Sequence, residues 1–184
     1  ELTDEDANRT EMYQKMRQSS VPSSNKVGDI TKFLESLCME IDISEKTVDN
    51  YERAIQLINK TNQFNLNGVR RSDVEFNTVL RDGGKLFTAS LKDKNGDHGE
   101  VLAILMDADH KVLSFVMSCR VFQRQAEIIF ILTLLKLKVN EISMVYKVTD
   151  RNEPFRLFLS KFFEDVQSEE YRFNRELIDQ KFPG

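Results

Sequence analysis

The sequence predicts an α/β protein: a mixed sheet, part antiparallel meander and part parallel strand pair, flanked by helices. Three observations predict it. Three apolar runs, 85–92, 100–107 and 112–118, follow one another across short polar turns, which makes them antiparallel neighbours. A dense apolar stretch from about 123 to 139 comes next and suits a buried helix of roughly four turns. ISMVYKV (142–148) then returns as a strand beyond that helix, the connection that parallel strands require.

The remaining elements follow in chain order. Residues 2–18 read as a helix, with Thr3 as its cap and Asp4, Glu5 and Asp6 suited to the positive end of its dipole. Its apolar side is thin (Met12, Tyr13 and Met16), so it leans on another body. SSVPSSNKVG (19–28) is a Ser/Pro/Gly linker and the clearest boundary. The expected organisation is a connecting helix over 1–20, a linker over 21–28 and one domain over 29–184. Asp29 can cap a helix in which Ile30, Phe33, Leu34 and Leu37 keep helical spacing. Met39, Ile41 and Ile43 alternate with Glu40 and Asp42, a strand pattern. Val48, Tyr51, Ile55 and Ile58 share one helical face. KTNQFNLNG is a polar loop, and Ser72 with Glu75 makes a capping box for a short helix. Late in the chain, Pro154 marks a helix start and YRFNREL a last strand.

Composition narrows the function classes. The chain has 184 residues, 40% hydrophobic and 30% charged, which suits one globular core. A net charge of -4 argues against general binding to nucleic acid or anionic membrane. No apolar run approaches spanning length and no signal peptide is visible. Cys38 and Cys119 have neither metal-ligand spacing nor a disulfide framework, so a reducing, cytoplasmic setting is expected. His98 and His110 have no ligand partner at helical spacing, so no metal is expected. Asp107-Ala-Asp109 mimics a phosphatase D-x-D but reads as a turn between antiparallel strands, since Lys111 follows where Thr or Val is usual and the next strand begins at once. The chain opens on Glu, which suits a piece cut from something longer.

The residues that carry chemistry cluster in three places. Cys119 ends a strand and opens a helix beside Arg120 and Arg124, where cations and a helix dipole favour thiolate. It also shares strand parity with Leu113, Phe115 and Met117, which would bury it as ordinary core. Thr61, Asn62, Gln63 and Asn65 offer amide and hydroxyl groups around Phe64, to orient a polar substrate or to tie down their own loop. Asn152 and Arg156 lie near the helix that Pro154 opens.

The element order, with SFVMSCRVFQRQAE (114–127), LINKTNQFNLN (57–67) and RNEPFRLF (151–158), resembles the GNAT-like C-terminal half of FkbH-like proteins. In that family a phosphatase-like HAD domain precedes a GNAT-like domain, and the protein loads a glyceryl unit onto an acyl-carrier protein. The resemblance implies an acyltransferase domain with two partners, an acyl-carrier protein and an N-terminal HAD-like domain of the same protein. It implies a phosphopantetheine thioester or acyl-CoA as the ligand, with no other cofactor. TDEDANRTEMYQKMRQ (3–18) would be the segment joining the halves. Cys119 would be the acyl relay, and Arg120 and Arg124 would hold the anionic part of the ligand. Thr61, Asn62, Gln63, Asn65, Asn152 and Arg156 would contact substrate. In the R-x-x-G-x-G frame of the GNAT pyrophosphate loop, both glycines are replaced, by Gln123 and Gln125. Leu159 stands where a tyrosine would protonate the leaving thiolate. Both departures leave room for a non-catalytic domain that docks a carrier protein or the HAD half. An independent acetyltransferase is the third reading.

Overall fold

The structure is a computed structural model and describes residues 35–166 and 169–182. The helix expected over 2–18, the linker and the helix start at Asp29 lie outside the described residues. The chain divides into two compact units: Glu1–Met39 with Asp93–Asn95, and Glu40–Lys92 with Gly96–Gly184. In the first, the Lys94 N–H donates to the Leu37 carbonyl at 2.9 Å.

The second unit is the mixed sheet with flanking helices that the sequence predicts. Its strands are β1 (Glu40–Lys46), β2 (Phe64–Asn65), β3 (Lys85–Asp93), β4 (Gly96–Met106), β5 (Lys111–Met117), β6 (Glu141–Met144) and β7 (Tyr171–Asn174). They run in the order β1-β3-β4-β5-β6-β7, and β2 pairs with β5 off that path. β5 and β6 are the parallel pair. The antiparallel meander β3-β4-β5 is the set of three apolar runs. Its middle strand is buried from Val101 through Met106, because helices cover both faces of the sheet.

Five α-helices are described: α1 (Glu52–Lys60), α2 (Asp73–Arg81), α3 (Ala126–Leu137), α4 (Glu153–Leu159) and α5 (Arg175–Lys181). On one face of the sheet, Ala54, Leu57 and Ile58 of α1 and Phe76 of α2 pack with Leu86, Ala103, Leu105 and Val116. The other face holds a chain of rings. Phe64 lies 5.4 Å from Phe115 and 5.5 Å from Phe158, and Phe115 lies 6.0 Å from Phe130. Such buried aromatic contacts contribute beyond their area through edge-to-face geometry.

Local chemistry explains the element ends. The capping box is complete: Glu75 N–H donates to Ser72 Oγ at 3.3 Å, and Ser72 N–H donates to Glu75 Oε2 at 2.7 Å. That backbone bond holds the Glu75 carboxyl below its usual range. The Asp107-Ala-Asp109 stretch is a turn, in which Asp107 Oδ1 accepts from the N–H groups of Asp109 and Lys111.

Four expectations need correction. Val48 is exposed and precedes α1, whose N-cap is Tyr51. The KTNQFNLNG loop contains β2, a strand too short to show alternation. The strand expected over 142–148 stops at Met144. The α5 helix after β7 was hidden by the aromatic run before it; Asn174 Oδ1 caps it, accepting from Leu177 N–H at 2.9 Å. Among the described residues, no helix is long and apolar enough to cross a membrane.

Candidate functional site

The parallel pairing of β5 with β6 spans only Lys111↔Ser143 and Val112↔Met144. Beyond that the two strands part, and parting parallel strands leave unpaired N–H and C=O groups. Here the chain fills its own gap. Phe64 pairs with Met117 and Asn65 with Val116, the Leu66 N–H donates to the Phe115 carbonyl, and the Lys147 N–H donates to the Leu66 carbonyl. Residues 64–66 thus stand between β5 and the segment after β6.

The side chains of the KTNQFN loop hold this strap in place. Asn65 Oδ1 accepts from the N–H groups of Asn67 and Gly68, while its Nδ2 donates to the Thr61 carbonyl at 2.9 Å. Asn62 Oδ1 accepts from the Arg70 guanidinium, which also donates to the Ile58 carbonyl at the C-terminal end of α1. Asn152 is fully buried. Its Nδ2 donates to the carbonyls of Asn65 and Lys147, each at 2.9 Å, and its Oδ1 accepts from Thr149 N–H and Tyr146 O–H. That uses both of its donors and both lone pairs. Burial, then the nearby Glu153 carboxylate, pushes the Tyr146 hydroxyl up to about 12. Arg156 is held by Glu153 through two bonds, at 2.8 and 2.5 Å, which raises its pKa.

Asn59, Arg70 and Arg71 complete the strap and were missed in the sequence. The Asn59 side chain brackets the Arg71 backbone, and the Arg71 guanidinium donates to Ser114 Oγ at 2.8 Å and to the Leu113 carbonyl at 2.6 Å. Burial lowers its pKa, and Glu75 opposes that effect. Two adjacent arginines next to an amide-rich loop were the only hint of this in the sequence.

The turn after β5 is built differently. β5 ends at Met117, and the Ser118 N–H donates to the Val101 carbonyl at 2.8 Å. A single 3-10 turn, Cys119–Val121, then breaks the strand parity, so Cys119 is exposed and not core. Arg120 Nε donates to Ser118 Oγ at 3.2 Å, and Arg124 donates to the Arg120 carbonyl at 3.2 Å. Arg120 has no carboxylate partner among the described residues. Gln123 and Gln125 adopt φ values of 69° and 56°, the left-handed region that glycine enters freely and other residues enter at a cost. Gln125 is the N-cap of α3 and makes no side-chain cap bond. Gln63 directly precedes Phe64, whose partner Met117 is the last residue of β5. Gln63 Oε1 is buried with no hydrogen-bond partner among the described residues.

The structure therefore brings Asn62, Gln63, Cys119 and Arg120 to one end of β5. It places Thr61, Asn65 and Asn152 inside the strap. Leu159 is buried in α4, and no tyrosine takes its place there. Among the described residues no group of three or more His, Cys, Asp or Glu side chains is placed to hold a metal. No family model, curated protein or solved structure matches this chain.

Proposed function

We propose that this chain is the GNAT-like domain of an FkbH-like protein, working in the cytoplasm, and that it assists transfer of a glyceryl-type acyl group to an acyl-carrier protein. The observation that carries this reading is the backbone at Gln123 and Gln125. Both keep the left-handed conformation that glycines supply in the R-x-x-G-x-G frame. Two non-glycine residues in that conformation cost free energy, so a loop retaining both favours a retained shape. With the β5–β6 gap closed by residues 64–66, a phosphopantetheine arm would lie along the outer side of the turn.

In this reading Arg120 and Arg124 hold the anionic part of the arm through charge-assisted bonds. Cys119, exposed beside Arg120, accepts the acyl group: its thiolate attacks the donor carbonyl, the donor's leaving group departs, and a carrier thiolate later takes the acyl group from Cys119. The donor would be a phosphorylated glycerate, and the N-terminal HAD-like domain would be the phosphatase-like half of the same protein. Incubating the chain with a glyceryl thioester and holo-carrier, then comparing Cys119→Ala by mass spectrometry, tests the relay. Loss of the enzyme-bound acyl adduct and of carrier loading is expected; undiminished loading removes Cys119 from the route.

The closed β5–β6 gap and the buried Leu159 also favour a second reading, a domain that docks the carrier or the HAD half without catalysis. Equal affinity for apo- and holo-carrier would select it.

A further inference from the structure

The chain holds two Asn-Gly pairs, Asn67-Gly68 and Asn95-Gly96. In such a pair the glycine N–H readily attacks the preceding side-chain amide, because glycine has no Cβ to block the approach. The structure treats the two pairs differently. In the strap, Asn67 Nδ2 donates to the Leu113 carbonyl at 3.1 Å, and its Oδ1 accepts from Val69 N–H at 3.1 Å. The Gly68 N–H, which would be the nucleophile, donates to Asn65 Oδ1 at 2.7 Å. Both reacting groups are therefore tied to other partners.

Asn95 is placed otherwise. Lys94 and Asn95 form the two-residue turn between β3, which ends at Asp93, and β4, which begins at Gly96. Lys94, Asn95 and Gly96 are all exposed. The Asn95 N–H donates to Asp93 Oδ1 at 2.8 Å, but the Asn95 side-chain amide makes no hydrogen bond among the described residues. Gly96 has a φ of 129°, so the turn needs glycine there. A Cβ built on Gly96 would meet nothing within 4 Å, so nothing crowds the attacking nitrogen on that side.

We propose that Asn95 is a site of spontaneous modification whose co-reactant is water. The Gly96 amide nitrogen gives up its proton and attacks Asn95 Cγ. The new C–N bond closes a succinimide ring, the Cγ–Nδ2 bond breaks, and ammonia leaves with the proton. Water then opens the ring at either carbonyl. One product is aspartate; the other is isoaspartate, in which the main chain runs through the former side chain. Either product puts a carboxylate where a neutral amide stood, between Asp93 and Asp97 in the chain. The isoaspartate form also lengthens the main chain of the β3–β4 turn. Asn67 carries the same sequence signal and is held inert by the strap. The inference is independent of the acyl-transfer reading.

The test keeps the 184-residue chain in mildly alkaline buffer, once folded and once in urea, and maps its peptides over time by mass spectrometry. Chromatographic retention separates isoaspartate from aspartate. In the folded chain, the Asn95 peptide is expected to show the mass increase of deamidation roughly tenfold or more faster than the Asn67 peptide, the factor that two broken hydrogen bonds set. In urea the two rates should converge, because the difference belongs to the fold. Equal rates in the folded chain overturn the proposal. So does an Asn95 that converts only in urea, which would mean that the turn protects it. An Asn67 that stays equally slow in urea would trace the difference to its sequence neighbours and also overturns it.

Discussion

Two polar stretches meet at the end of β5, and they use their side chains in opposite ways. In the strap around residues 59–72, nearly every amide and guanidinium points back into the chain. Asn59, Asn62, Asn65, Arg70 and Arg71 all bond to backbone or to each other, and Asn152 completes the set from across the gap. In the turn 118–125, Cys119 is exposed, the Arg120 guanidinium bonds to Ser118 of its own turn, and two glutamines hold left-handed backbone. Both stretches look like ligand-binding loops in a sequence. The first stretch closes the sheet behind the second, which leaves Cys119 and the Arg120 side chain exposed.

The largest expected effect comes from removing the strap's anchor. Phe64→Ala should cost about 3–5 kcal/mol in urea unfolding, since its ring is buried against Phe115, Phe155 and Phe158. A cost under about 1 kcal/mol would mean that the strap is loosely held. Asn152→Ala comes next. It leaves the buried Asn65 carbonyl without its donor, and a buried unsatisfied group costs about 1–3 kcal/mol.

Alkaline titration gives a smaller signal on the same network. The Tyr146 hydroxyl titrates near 12 in the fold against an ordinary value of 10. The folded state therefore keeps a proton that the unfolded chain gives up, so this contribution is intact below pH 10 and is lost as pH rises from 10 to 12. Tyr146→Phe should flatten that part of the stability curve; an unchanged slope would place its cause elsewhere.

On the turn, substitutions should touch stability little. Gln125→Gly relieves a left-handed side chain but loosens the unfolded chain, so a net change within about 1 kcal/mol is expected. A destabilisation well beyond that would mean that the Gln125 side chain, not the backbone, organises the turn. Arg120→Ala should change stability by less than about 0.5 kcal/mol, as surface substitutions do, while weakening ligand binding.

Much of the fold was legible because periodicity and capping chemistry are local. The β3-β4-β5 meander, the apolar α3 and the Ser72–Glu75 box each announce themselves within a few residues. The strap was not legible, because β2 is two residues long and its partners lie at 113–117 and 147–152, far along the chain. The same residue types that could grip a substrate also make Asx turns and helix caps, and sequence does not say which. The exposure of Cys119 depended on one 3-10 turn that resets strand parity at Ser118.

Equilibrium binding of glyceryl-phosphopantetheine thioester to wild type and to Arg120→Ala tests most directly whether the turn at 118–125 is the ligand site. Saturable binding that weakens roughly tenfold in the variant is the predicted result, the loss of one charge-assisted contact. Binding that is absent in wild type, or indifferent to Arg120, would contradict it.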